Sequence, residues 1–211
     1  MERSLIAAVV GARGDLGSQV TSLLQRHGYT VTKVQRGSNF LQLRKEHFDV
    51  VHYCIPAQAV KRIGDDTTLH IFHDSVMHSS MRVIRRKFAN YITAPVHMLM
   101  NQSGTAVVGR GSTGSRLAKM HLEALGLNVV MKDVAAHDKI VARSQAPMLV
   151  LSNTILKDLK KWEAAGLLTP SGEDLLKALE SRSARWTQAT KKSILKNPQI
   201  KTFIDDMRRL H

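Results

Sequence analysis

The chain has 211 residues, enough for one large domain or a standard domain with a smaller partner, and its 43% hydrophobic content can form a core. Its single cysteine, Cys54, excludes a disulfide framework within one chain, and no apolar stretch reaches the ~20 residues that span a bilayer. A net charge of +14 would attract polyanions, but the basic residues are dispersed and aromatic residues are few. We therefore expect a cytoplasmic protein without a membrane anchor, and nucleic acid is not a favoured partner.

The first part of the chain predicts a strand–helix–strand unit around a glycine-rich turn. An apolar run over 5–10 predicts a buried strand, a helix follows over 16–27, and the alternating segment 29–34 predicts a second strand. In a dinucleotide-binding turn, the first glycine permits the bend, the second lets the pyrophosphate approach the backbone, and the third lets the helix pack on the strand. A turn that merely packs is the alternative. The predicted cofactor site comprises Gly11, Ala12, Arg13, Gly14, Asp15, Leu16 and Gly17.

The end of the second predicted strand bears on the choice between NAD and NADP. A carboxylate that binds the adenosine ribose is expected about 20 residues beyond the turn, where this chain has Gln35 and Arg36, followed by Ser38. A guanidinium and a hydroxyl suit a 2′-phosphate. We therefore predict NADP as the preferred cofactor, with NAD as the alternative. A solvated basic loop is the other interpretation of Arg36.

Strand and helix patterns continue to alternate to about residue 133. Further strands are predicted over 49–55, 69–72, 90–93, 105–108 and 127–131, with helices over 57–63, 81–88 and 115–125. This alternation predicts a Rossmann-type, doubly wound and mostly parallel α/β sheet. From residue 134 onward only helical spacing remains. We predict a Rossmann dinucleotide-binding domain over 1–133 and a small all-helical domain for substrate binding and dimerisation over 134–211.

A second glycine-rich turn, over 109–115, also joins a predicted strand to a predicted helix. Its glycines would let a phosphate approach the backbone, but its serine and threonine hydroxyls would equally cap a helix N-terminus. A turn with a hydroxyl cap is the favoured interpretation, and a phosphate site is the alternative.

Several further segments carry a resemblance to a known family. Segment 49–56 reads DVVHYCIP, segment 74–76 reads DSV, and segment 136–138 reads AHD, with Gln145 after it. Near the end of the chain, Arg182 is followed by Ile194 and then by Asn197-Pro198. Together with the turn over 11–17, these segments resemble the prephenate and arogenate dehydrogenases of tyrosine biosynthesis.

The resemblance implies an oxidoreductase and a set of site residues. Members of this family oxidise prephenate or arogenate with NAD(P), lose carbon dioxide as a hydride leaves the ring, and dimerise through helical C-terminal domains. By the same resemblance, Ser75 would orient a catalytic histidine and Arg182 would bind a substrate carboxylate. The remaining residues carried over are Gln145 and His137 for the substrate, and Ile55 and Pro56 beside the cofactor. For His137, a hydrogen-bonding role at a helix start is the alternative.

The place of the catalytic histidine is open. Aligning the proline of the family's histidine segment puts Ala94 where the histidine belongs, whereas aligning histidines selects His97. The family's lysine after Ser-Val is replaced by Met77. With His97 in the role, the chain is a dehydrogenase; with Ala94 there, it is a dinucleotide-binding sensor or partner protein. No metal site is predicted, because no histidine has ligand spacing with partner acids.

Overall fold

The computed structural model describes residues 4–35, 37–99, 104–185 and 188–209. The chain divides into two units, Met1–His137 and Asp138–His211. The first unit is built on a seven-stranded sheet with the order β2-β1-β3-β4-β5-β6-β7. Its strands are β1 (Ile6–Val10), β2 (Thr30–Val34), β3 (Val50–Tyr53), β4 (Leu69–His73), β5 (Ile92–Leu99), β6 (Thr105–Gly109) and β7 (Asn128–Lys132).

The strand directions create one ligand-binding edge. Every neighbouring pair is parallel except β5 with β6. Because β1 lies between β2 and β3, the strand order reverses at β1, and ligands of open α/β sheets bind in the crevice at the carboxyl ends of the strands there. The pairing of β4 with β5 ends at His73 and Val96, so His97 extends past the carboxyl end of β4.

Helices cover both faces of this sheet. They are α1 (Asp15–Arg26), α2 (Phe40–Leu43), α3 (Met77–Lys87) and α4 (Ser115–Ala124). One hydrophobic core lies on the side of α1 and α4 and includes Leu24 and Leu122; the other lies on the side of α2 and α3 and includes Leu43 and Ile84. Strands β3 and β4 are buried along their whole length, as expected of parallel strands covered on both faces.

The second unit is built from helices. They are α5 (Val134–Thr154), which begins in the first unit, α6 (Leu156–Ala164), α7 (Pro170–Arg185), α8 (Gln188–Leu195) and α9 (Gln199–Arg208). Leu149 packs with Ile194, and Leu159 packs with Leu176 and Leu179, in two small apolar clusters. The predicted fold class, a mostly parallel Rossmann-type sheet followed by helices, is confirmed. Among the described helices, none is both long and apolar enough to cross a membrane.

The bounds of several predicted elements differ from the structure, including those of one helix and one strand. The helix predicted over 57–63 is only a short 3-10 helix, Ala57–Ala59. The residues beyond it form a loop, because Gly64 has φ +74° and the Asp65 carboxylate accepts hydrogen bonds from the amides of Thr67 and Thr68. The strand predicted over 90–93 continues through Pro95 to residue 99, because it pairs first with β4 and then with β6.

Candidate functional site

The turn after β1 bends at Gly11, and the surrounding backbone explains why glycine is needed. Gly11 has φ +86°, which L side chains rarely adopt, and a Cβ there would lie 2.6 Å from Cγ2 of Ile55 and 2.8 Å from the carbonyl oxygen of Cys54. The turn therefore packs directly on the residues that follow β3. Burial raises the pKa of the Cys54 thiol, so this cysteine is a neutral part of the packing.

The other two glycines of the turn differ in what they pack against. A Cβ on Gly17 would lie 2.1 Å from the carbonyl oxygen of Gly11, so α1 can approach the turn only with glycine there. A Cβ on Gly14 would lie 3.5 Å from the same oxygen, which is ordinary contact. No described part of the protein thus requires glycine at position 14. The remaining reason for glycine there is the close approach of a ligand to the backbone.

Helix α1 presents its N-terminus at this turn. It begins at Asp15, and its N-cap residue Gly14 makes no side-chain hydrogen bond to the first amides of the helix. These N–H groups and the positive end of the helix dipole are suited to bind phosphate. Ala12 and Leu16 pack in the core, while Arg13 and Asp15 are exposed beside the helix end. The turn therefore fits the pyrophosphate of a dinucleotide.

The residues predicted to bind the adenosine ribose follow β2. The Ser38 Oγ accepts a hydrogen bond of 3.0 Å from the Gln35 amide, which leaves the hydroxyl hydrogen to donate elsewhere. Arg36 lies outside the described residues. After β3, Ile55 is half-buried against Gly11, so it lies next to the glycine turn, and Pro56, which follows it in the chain, is exposed.

The structure separates the two positions considered for the histidine. Ala94 pairs with Ile71 of β4 and is fully buried in the core on the side of α1 and α4. His97 lies three residues further along β5, so its side chain points to the opposite face, and it is only partly buried. Of the two positions, only 97 can present a side chain to a ligand.

His97 is oriented by a second histidine. Its Nδ1 lies 2.9 Å from Nε2 of His137, with the two ring planes at 89°. His137 lies in the first turn of α5 and is 4% exposed, so its ring is held by its surroundings. When Nδ1–H of His97 donates to His137, Nε2 of His97 is the unprotonated nitrogen of the ring and can accept a proton. The pair therefore has the geometry of a general base whose orientation is fixed by a neighbour.

The loop between β4 and α3 contains two further predicted positions. In the described part of the chain, the half-buried Ser75 makes no hydrogen bond to His97, whose ring is oriented by His137 instead. An orienting role for Ser75 therefore stays a prediction. Met77 is fully buried at the start of α3, so the position at which the family has a lysine offers no cation here.

The remaining predicted substrate residues lie in the second unit. Gln145 is half-buried in α5, and Arg182 belongs to α7, with its side chain outside what the structure describes. Their contacts with substrate remain predictions that depend on the family resemblance.

Sequence reasoning missed the pairing of the two histidines. His97 and His137 are 40 residues apart in the chain, and the strand that contains His97 was predicted to end before it. Proline is uncommon inside a central strand, so nothing in the local sequence indicated that β5 continues through Pro95 to His97. The one signal that linked the two histidines was that both fall in segments resembling the same family.

No protein-family model matches this chain. No curated protein sequence matches it either. Among solved structures, one similar protein is the prephenate dehydrogenase from A. aeolicus in complex with hydroxyphenyl propionate and NAD+. The structural match covers 99% of this chain and 88% of the A. aeolicus chain, with a TM-score of 0.72 and 11% sequence identity. Synechocystis arogenate dehydrogenase matches 98% of this chain and 90% of its own, with a TM-score of 0.67 and 15% identity.

An imine reductase from Myxococcus stipitatus in complex with NADP+ matches more distantly. It covers 85% of this chain and 73% of its own, with a TM-score of 0.57 and 14% identity. At these identities the likeness establishes the fold. This chain has the fold of the prephenate and arogenate dehydrogenases, as the resemblance predicted.

Proposed function

We propose that this protein is a cytoplasmic, NADP(H)-preferring oxidoreductase of the prephenate or arogenate dehydrogenase type. The observation that carries the proposal is the His97–His137 hydrogen bond, which lies toward the same edge of the sheet as the glycine turn Gly11–Gly17. The prephenate and arogenate dehydrogenases among the similar structures support the same reaction class.

The chain's own residues take distinct roles in this reaction. Amides at the N-terminus of α1 bind the pyrophosphate, and Arg36 with Ser38 binds the 2′-phosphate. Nε2 of His97 accepts the proton of the substrate hydroxyl as a hydride leaves the carbon that bears it, while His137 holds the ring in place. The bound dinucleotide would supply the hydride acceptor. Arg182 and Gln145 are the proposed substrate-binding residues of the second unit.

The test is NADPH formation from prephenate and from arogenate, assayed separately by absorbance. The variant His97→Ala is expected to lower kcat by roughly 10³-fold, the range of a lost general base, while the Kd for NADP changes by less than about twofold. His27→Ala, which changes an exposed histidine at the far end of α1, is the matched control. Absence of NADPH formation by the unaltered protein with either substrate contradicts the proposal.

Cofactor preference has its own test. The variant Arg36→Asp is expected to weaken NADP binding by about tenfold and to leave NAD binding nearly unchanged, since the guanidinium has a partner only on NADP. Equal affinities of the unaltered protein for NAD and NADP would contradict the preference.

A dinucleotide-binding sensor or partner protein is the second candidate function. It is favoured by the buried Met77, which supplies no charge where the family has a lysine. In that case NADP binds, neither substrate is turned over, and His97→Ala leaves the protein's measured properties unchanged.

We further propose a homodimer formed through the C-terminal helices. Large apolar side chains are exposed on the second unit, as expected of a surface that a second copy covers. They are Ile140, Val150, Trp162, Leu167, Leu195 and Ile204. Sedimentation of the full chain is expected to give a dimer, and Ile204→Lys is expected to shift it toward monomer. A monomeric unaltered chain contradicts this proposal.

A further inference from the structure

A row of buried histidines lies on the face of the sheet opposite the His97–His137 pair. His73 of β4 and His52 of β3 point to the side of α1 and α4, where they meet His121 of α4. Nε2 of His73 lies 2.9 Å from Nδ1 of His52, and Nε2 of His52 lies 3.1 Å from Nε2 of His121. Nδ1 of His121 lies 3.3 Å from the hydroxyl of Tyr29. These four side chains form one continuous line of hydrogen bonds.

The two ends of this line differ in exposure and in partners. Tyr29 and His121 are partly exposed, whereas His52 is fully buried and His73 is 6% exposed. Among the described residues, Nδ1 of His73 is a buried polar atom without a hydrogen-bond partner. Buried polar atoms are nearly always paired, so an unpaired imidazole nitrogen at the carboxyl end of β4 indicates a position for a ligand group.

The rings are arranged for proton transfer. The planes of His52 and His73 are 12° apart with their centroids 5.2 Å apart, so the hydrogen bond between them lies close to both ring planes. Burial lowers the pKa of His73 to about 3 and of His121 to about 4, and burial with the two neighbouring histidines lowers that of His52. At neutral pH each ring therefore carries a single N–H.

Neutral rings joined in this way hold their protons in two arrangements. In the first, Nδ1 of His73 is bare, and His73, His52 and His121 each donate toward Tyr29. In the second, each proton has crossed its hydrogen bond: Tyr29 donates to His121, and Nδ1 of His73 carries a proton. A proton that binds Nδ1 of His73 converts the first arrangement into the second while Tyr29 gives its hydroxyl proton to solvent. One proton enters and one leaves.

We infer that Tyr29, His121, His52 and His73 form a proton relay between the partly exposed side of α4 and the carboxyl end of β4. The group expected at Nδ1 of His73 is an O–H group, of the substrate or of a water molecule that accompanies it. An O–H group both donates and accepts, so it matches a nitrogen that alternates between the two roles.

The relay's use rests on the proposed function. In that reaction Nε2 of His97 takes the proton of the substrate's ring hydroxyl as a hydride passes to the dinucleotide, and the same oxygen regains a proton from His97 once carbon dioxide has left. The overall reaction releases no proton. Between these two events His97 would pass its proton through the O–H group at Nδ1 of His73 into the relay, and a proton would return by the same route. The relay is then back in its first arrangement after each turnover. The side chains of His73 and His97 point to opposite faces of the sheet, but β4 ends at His73, which pairs with Val96 beside His97. An O–H group beyond the end of β4 would therefore lie between the two rings.

The first test needs neither substrate nor cofactor. Tautomers of the imidazoles are measured by ¹⁵N NMR on the full chain at neutral pH. His52 and His73 are expected to share one tautomer and His121 to have the opposite one, because donors must alternate along the line. A His121 with the same tautomer as His52, or a doubly protonated ring among the three, would overturn the relay.

The second test uses turnover with a matched control. His52→Gln breaks the relay at its centre, and His70→Gln makes the same change at another fully buried histidine, which bonds to Tyr53 instead. His52→Gln is expected to lower kcat about tenfold and to turn a curved dependence of kcat on deuterium content into a linear one, with KM unchanged. Equal kcat and equal deuterium dependence in the two variants overturn the inference.

The failure of the relay can be told from the failure of the proposed function. If the unaltered protein turns over neither substrate, the proposed function fails, and the tautomers alone decide whether the relay exists. If His52→Gln does not fold, Tyr29→Phe replaces it, since it removes one hydroxyl and keeps the ring. Its expected effect is about threefold on kcat with the same change in deuterium dependence. An unchanged kcat and deuterium dependence in Tyr29→Phe would overturn the relay.

Discussion

The turns at 11–17 and 109–115 both join a strand of one sheet to a helix, but their glycines and hydroxyls are used differently. In the second turn, the Ser115 hydroxyl donates to the carbonyl of Gly109 at 2.7 Å and accepts from the Ser112 hydroxyl at 2.8 Å. A Cβ on Gly114 would lie 2.9 Å from both the amide nitrogen and the carbonyl oxygen of Thr93. The hydroxyls and glycines of this turn are therefore used for hydrogen bonds and packing inside the protein.

The first turn satisfies fewer of its own groups. Its central glycine, Gly14, has only ordinary contact with the protein, whereas Gly114 meets backbone atoms. Both following helices have a glycine N-cap without a side-chain hydrogen bond, so the hydroxyl cap expected for the second turn is absent at Gly114. The two turns also lie at different edges of the sheet. Because β6 runs antiparallel to β5, the turn that follows β6 lies at the edge opposite the carboxyl ends of β1 to β5. A glycine-rich sequence between a strand and a helix therefore indicates a ligand site where at least one of its glycines, here Gly14, has no internal reason to be glycine.

Alanine substitutions at the central glycines should separate the two turns most clearly. Both Gly14 (φ −75°) and Gly114 (φ −96°) have backbone conformations that alanine adopts, so packing alone decides the outcome. Gly114→Ala is expected to lower the free energy of unfolding by about 3 kcal/mol, because its Cβ meets backbone atoms that cannot rotate away. Gly14→Ala is expected to change it by less than about 0.5 kcal/mol.

Urea denaturation measures both free energies of unfolding, and titration with NADP measures the affinity of the Gly14→Ala variant for the cofactor. Gly14→Ala is expected to weaken binding by about tenfold, because its methyl group stands where the pyrophosphate approaches. Equal losses of stability in the two variants would show that the first turn also packs internally, and would remove the argument for a ligand there.

Thermal stabilisation by NADP gives the next largest effect. At roughly 100 times its Kd, a ligand that binds only the folded state stabilises it by about 2.7 kcal/mol. For a chain of this size that corresponds to a rise in Tm of about 5 to 10 °C. The rise is expected in the unaltered protein and in Ser115→Ala, and is expected to vanish in Gly14→Val. A rise that persists in Gly14→Val would place the cofactor elsewhere.

Acid should act on the helix that follows the second turn. Helix α4 carries His121, whose pKa burial lowers to about 4, whereas α1 contains no histidine. The unfolded chain, with a histidine pKa near 6.5, then binds more protons than the folded state, so stability present above pH 6.5 is lost as the pH falls toward 4. We expect His121 to contribute about 2 kcal/mol of this loss.

The measurement is the urea midpoint at neutral and at acid pH, in the unaltered protein and in His121→Gln. On acidification the variant should lose less unfolding free energy than the unaltered protein, and the difference should equal about the contribution of His121. His70, whose lowered pKa does not depend on His121, titrates in both proteins and cancels in the comparison. Identical pH profiles would contradict the link between the burial of His121 and its low pKa.

Local sequence patterns predicted the sheet and the first turn well, because both depend on residues that are close in the chain. The apolar run before Gly11 and the periodic helix after it belong to one strand–turn–helix unit, and that unit is present. The extension of β5 past Pro95 was not predictable in this way. The extension depends on pairing of β5 with two other strands. They are β4, about 20 residues earlier in the chain, and β6, the next strand.

The candidate site shows the same limit. Glycines at 11, 14 and 17 are a local pattern, and each has the environment expected from its role. The His97–His137 pair and the line of histidines from His73 to His121 join residues from different strands and helices. Alternation along a strand places a side chain on a face of the sheet, but it does not identify the residue that meets it from a helix.

The smallest expected effect concerns the serine hydroxyls at the two helix starts. Ser115→Ala removes a buried hydrogen bond to Gly109 and leaves that carbonyl without this donor, so we expect a loss of about 1 to 2 kcal/mol in unfolding free energy. Ser18→Ala, the matched control in the first turn of α1, removes an exposed bond to the carbonyl of Asp15 and should change stability by less than about 0.5 kcal/mol. NADP affinity should stay the same in both variants, because neither hydroxyl has a role in the proposed pyrophosphate site. If Ser115→Ala weakened NADP binding, the second turn would be a phosphate site, and the distinction between the two turns would be wrong.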